Sequence, residues 1–144
     1  MKTRNTLVRL HKWQVDEKRK RLAELYASRA DFEKRMQVVE ISIVREQAFI
    51  NSEAGIHGDV GFSYGAFAQA AIMQRDNIQR SIQSIDEMIV EALESVGEAY
   101  KALKRQEIAA ANQESRKTKE RDRLEQIAID DQAIEGHQRK ASGK

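Results

Sequence analysis

From Ile78 the apolar residues of this chain recur alternately four and three positions apart. The step meets Ile78, Ile82, Ile85, Ile89, Ala92, Val96, Ala99 and Leu103 without a break. It continues in the same phase through Gln106, Ala110, Gln113, Lys117, Glu120, Leu124, Ile127, Asp131 and Ile134. An apolar repeat averaging 3.5 residues keeps one stripe facing a partner as two helices wind around each other, which is the seam of a left-handed coiled coil. The same step begun at Val8 gives a second seam: His11, Val15, Lys18, Leu22, Leu25, Arg29, Phe32, Met36, Val39, Ile43, Glu46 and Ile50. Its apolar positions are densest from Leu22 to Ile43. The polar interruptions at Lys18, Arg29 and Glu46 are of the kind that sets register in coiled coils.

Between the two seams the pattern stops. Gly55, Gly58 and Gly61 punctuate residues 54–62, and glycine both tolerates positive φ and interrupts helices, so this stretch is the turn. Thr3 or Asn5 is placed to cap the first helix and Ser63 the second. The spacing therefore predicts an all-α chain, a single antiparallel coiled-coil hairpin over 1–144. Helix one covers about Thr3 to Glu53, the loop 54–62, and helix two runs from Ser63 to about Gln138, with Gly97 inside it. A turn centred near Gly58 sets residue i opposite about 116 − i. At 1.5 Å per residue the helices are ~75 Å and ~110 Å long. The second must overshoot from about Gln113 to Gln138, leaving Leu124, Ile127 and Ile134 in phase but without a partner inside the chain.

Composition agrees with a thin seam rather than a thick core. Charged residues make up 33% of the 144 and aromatics only 6%, while proline is absent and forbids nothing. Cysteine is absent as well, which removes disulfides and thiolate chemistry and fits a reducing compartment. Neither a signal peptide nor an 18-residue apolar run is present.

Net charge is only +2, but it is unevenly placed. Residues 1–21 hold eight basic and two acidic side chains, and residues 116–123 hold five and two. The predicted register brings these segments together, so one end of the hairpin is basic. The run from Lys18 to Arg21 falls beside Glu94 and Glu98, in a stretch from Asp76 to Glu98 with six acidic residues and one basic. RNA, anionic lipid or an acidic protein surface could meet the basic end. Nucleic acid is disfavoured by the missing series of stacking aromatics, and a membrane by the missing broad amphipathic face.

No catalytic constellation emerges. His11, His57 and His137 are isolated in sequence. The pairs Asp86-Glu87 and Asp130-Asp131 diverge by ~100° on a helix and do not converge on a metal. A phosphate loop would need lysine and serine or threonine directly after the last glycine, where this chain has Phe62 and Ser63. No cofactor, metal or small-molecule substrate is expected. The aromatics raise a different question. Trp13 lies off the seam, either packed on its edge or presented to a partner as an anchor. Phe49, Tyr64 and Phe67 collect at the loop end, more than a turn requires.

Four stretches together resemble the FliJ family of flagellar type III export: the segment from Leu7 to Lys18 (LVRLHKWQVDEK), Glu46-Gln47 before the loop, Tyr64 and Phe67 after it, and Leu124-Glu125-Gln126 leading to Asp130-Asp131. FliJ-like chains often read Asp-Glu at that last pair, a mild departure, and the three-glycine loop is individual. The resemblance implies a non-enzymatic two-helix rod, similar to the central stalk of rotary ATPases, that serves flagellum biogenesis and motility. It implies three partners: the hexameric export ATPase, the cytoplasmic domain of the export gate protein, and export chaperones. It places the protein in the cytoplasm, peripherally associated with the export apparatus of the inner membrane. On this likeness the loop end, with Phe49, Tyr64 and Phe67, meets the gate. The open end, with Trp13, Lys117, Arg121, Leu124, Ile127 and Ile134, enters the ATPase ring. A basic-ended architectural coiled coil that binds nucleic acid is the alternative.

Overall fold

The computed structural model describes residues 2–52 and 60–143, with side chains described over 3–52 and 65–143. Two helices make up almost all of it: α1, Lys2–Ile50, of 49 residues, and α2, Val60–Ser142, of 83. They pack against each other as an antiparallel hairpin, and no strand occurs among the described residues. Most of the predicted turn, residues 54–59 with Gly55, His57 and Gly58, lies outside the described residues, as does residue 53.

The helix ends differ from the expected caps. Thr3 and Asn5 already lie inside α1. α2 starts at Val60, so Ser63 is an interior residue rather than its cap and Gly61 is helical. A glycine in a helix costs only about 1 kcal/mol, which flanking helix overrides. α2 also runs past Gln138 to Ser142. Nothing there breaks it, and Arg139 and Lys140 complement the negative end of the helix dipole. α1 stops at Ile50, where the amides of Asn51 and Ser52 donate to the carbonyls of Gln47 and Phe49 at 3.0 and 3.1 Å.

Two units divide the hairpin, one of residues 14–99 and one of residues 1–13 with 100–144. In the first, buried Leu25, Ile85 and Ile89 form a cluster against which Leu22, Phe32 and Ala92 pack. Nearer the loop, Val39, Ala71 and Ile78 form another, joined by Phe32, Met36, Ile43, Phe67 and Ile82. These groups place each stretch of α1 within about one turn of its predicted opposite number on α2. Val96 is half-buried on the same face. Val15 is buried as well, but Lys18 is exposed, so the seam carries a gap there. In the second unit Leu103 is buried, and Val8, His11, Gln106, Ala110 and Gln113 are half-buried.

The polar interruption at Arg29 has a partner across the seam. Its Nε donates to Asp86 Oδ1 at 2.6 Å, and Nη1 meets Glu33 one turn on. The hydrogen bond to Asp86 is the first cause that holds the guanidinium above its ordinary range, with the charges of Asp86 and Glu33 adding to it. Asp86 is thus a cross-helix partner whose side chain stays about half exposed. Among the described residues this is the one ion pair that joins the two helices. The run from Lys18 to Arg21 makes none, although Arg21 and Glu91 line one shallow cleft. At Gly97 an added Cβ would meet nothing within 4 Å, so this glycine answers no packing demand.

Replacing buried Ile89 by aspartate puts an unpaired charge into the seam, and we expect several kcal/mol of lost stability and broad melting by circular dichroism. Arg19→Glu, on an exposed position, should cost well under ~1 kcal/mol. Equal shifts in Tm for the two variants would show that Ile89 does not lie in the core.

Candidate functional site: the unpaired end of the second helix

The unit built from residues 1–13 and 100–144 begins as a packed helix pair and ends as one bare helix. From Lys119 to Gly143 every residue is exposed. Leu124, Ile127 and Ile134, which continue the seam of α2, are 55%, 44% and 56% accessible. Ile129, off that stripe, is exposed too. The seam therefore stays in phase over a stretch where its apolar side chains are open to water.

Local bonds hold this helix. Arg123 grips Glu120 through Nη2 at 2.7 Å and Nε at 3.2 Å, Gln126 donates to Asp130 at 3.0 Å, and the Thr118 hydroxyl donates to the Glu114 carbonyl at 3.0 Å. The hydrogen bond from Arg123 pulls the Glu120 carboxyl below its ordinary range. With a depressed pKa in the helix, the pair contributes above the ordinary carboxylate range and is lost as pH falls through the lowered value. Lys117 and Arg121 are exposed beside this pair.

At the base of the bare segment the two basic stretches meet. Arg4 of α1 and Arg116 of α2 line one open cleft with Ala109, Asn112 and Gln113. Trp13 is 59% accessible, so the larger part of an amphipathic side chain is open to solvent. Below it the seam contains a polar layer. The register sets His11 level with Gln106, and both His11 Nδ1 and Gln106 Oε1 are buried without a hydrogen-bond partner.

The aromatics at the loop end separate. Phe67 turns inward onto the Val39 cluster, whereas Phe49 is half exposed. Tyr64 lies in α2, and its side chain falls outside the described residues. One surface escaped the sequence reading. Val38, Ile41 and Val44 on α1 are exposed, and Ile41 and Val44 share a shallow groove with Gln37, Glu40 and Arg45. The signal was present in residues 38–44, where five of seven are apolar and one seam can hold only two.

No group of three or more metal-ligating side chains occurs among the described residues, and no helix there is long and apolar enough to cross a membrane. Comparison with protein-family models, with characterised proteins and with solved structures gave no match.

A buried, unpaired polar atom costs about 1–3 kcal/mol. His11→Leu combined with Gln106→Leu should therefore raise Tm, measured on the full chain by circular dichroism. A fall in Tm would mean that the two side chains are hydrogen-bonded in solution.

Proposed function

We propose that this chain is a non-enzymatic stalk and coupling component of flagellar protein export, joining the hexameric export ATPase to the cytoplasmic domain of the export gate and binding export chaperones. The observation that carries the reading is the seam of α2, which outlasts α1 and leaves Leu124, Ile127 and Ile134 exposed on a single helix. The likeness of the segments around Trp13 and Leu124 to FliJ gives that bare helix its destination. The working place of such a protein is the cytoplasm, at the inner-membrane export apparatus.

The mechanism is mechanical. A helix pair is stiff, so a ring acting on one end can bias a gate held at the other. At the open end Arg116, Lys117, Lys119, Arg121 and Arg123 steer approach to an acidic lining, because opposite charge accelerates encounter. Leu124, Ile127 and Ile134 then leave water inside the ring, with Trp13 as an anchor on the α1 side. At the loop end exposed Phe49 offers the contact surface. Phe67 supports it from the core side, so Phe67→Ala would also loosen the hairpin and Phe49→Ala is the cleaner probe.

Deleting residues 124–144 should abolish stimulation of the export ATPase and leave the Tm of the hairpin nearly unchanged, because residues 124–143 are all exposed. Full stimulation by the truncated chain would reverse the assignment of the two ends. Phe49→Ala should weaken gate binding about tenfold or more with helicity intact. A nucleic-acid protein would instead show tight RNA or DNA binding that falls steeply with salt.

A further inference from the structure

The bare part of α2 changes sign along its length. Residues 116–123 hold five basic and two acidic side chains, whereas residues 124–135 hold Glu125, Asp130, Asp131 and Glu135 and no basic residue. The exposed seam positions Leu124, Ile127 and Ile134 lie at and beyond the boundary between the two.

From this arrangement we infer that the unpaired segment of α2 is a self-association surface, on which two copies of the chain pair antiparallel through residues 114–138. The inference does not rest on the export reading. Orientation follows from charge. Side by side in parallel, the segments would set basic on basic and acidic on acidic. Antiparallel, with the crossing between Leu124 and Ile127, residues 116–123 of each copy lie along 128–135 of the other. Leu124 then meets Ile127 twice at the centre, and Ile134 covers the aliphatic stem of Lys117. Arg123 falls within about 3 Å along the axis of Asp130 of the second copy. One layer opposes the pairing, where Glu120 meets Asp131. Arg123, already bonded to Glu120 at 2.7 Å, supplies the positive charge beside it. Only half of the seam positions from Lys117 to Ile134 are apolar, so the dimer is reversible and salt-sensitive. It covers the same side chains that a ring would cover, so self-pairing and partner binding exclude each other.

Sedimentation of the full chain tests this directly. Wild type should shift from monomer to dimer as concentration rises, and high salt should push it back. Ile127→Asp should weaken association at least tenfold while helicity stays unchanged, since the position is exposed. Arg121→Glu with Arg123→Glu should weaken it, as should Asp130→Lys with Asp131→Lys, and an equal mixture of those two double variants should associate again. The chain has no cysteine, so a spin label at Gln138→Cys reports direction cleanly. The two labels should lie about 37 Å apart along the antiparallel axis, against about 10 Å for a parallel pair. Wild type that stays monomeric into the hundreds of micromolar overturns the inference, as does a mixture that fails to associate or a short label distance.

Discussion

A seam between two helices places few side chains in each layer, and nearly everything in this protein follows from how little that buries. No side chain among the described residues is completely shielded from water. Stability must therefore accumulate layer by layer along the 3.5-residue repeat, and a slip of one layer would mis-set every other. The Arg29–Asp86 bridge answers that problem. A polar pair that matches in only one alignment adds little energy at a half-exposed site, but it penalises all the others. The apolar clusters on either side of it then have a single way to meet.

The same economy explains the functional end. α1 supplies layers for only part of α2, and past Gln113 the second helix has none. Short-range bonds such as Arg123–Glu120 keep that segment helical without giving it a core. It is a seam held ready, with its charges sorted into a basic and an acidic half. On the proposed reading its basic half meets an acidic ring lining, and on the inferred self-pairing both halves meet a second copy. If both proposals hold, concentration and mass action decide which of the two occupies it.

Much of this was legible in the spacing of hydrophobic residues. The two-helix hairpin, the antiparallel register and the point where α1 stops covering the seam of α2 all follow from counting fours and threes from Val8 and from Ile78. The helix ends were not legible, because Ser63 and Asn5 are good caps only if the chain stops being helical there, and its neighbours prevail. Trp13 could not be decided from sequence, since an off-seam tryptophan can fold back or point out, and only the geometry shows that most of it is exposed. Phe67 and Phe49 looked alike beside the loop, yet one lies on the core side of its helix and the other does not. Asp86 was hidden for another reason: its role exists only in the pair with Arg29, 57 residues away.

The central claim is that residues 114–142 are the part of the chain that awaits another protein. Amide hydrogen exchange, read by mass spectrometry on the full chain with and without the purified export ATPase, tests it most directly. Free at low concentration, the segment should exchange much faster than the clustered core between Leu22 and Ile89, because its helix lacks packing. With the ATPase present, protection should appear across residues 114–142 and around Trp13, and the core should be unchanged. Protection confined to the loop end, or none in 114–142, would contradict the account.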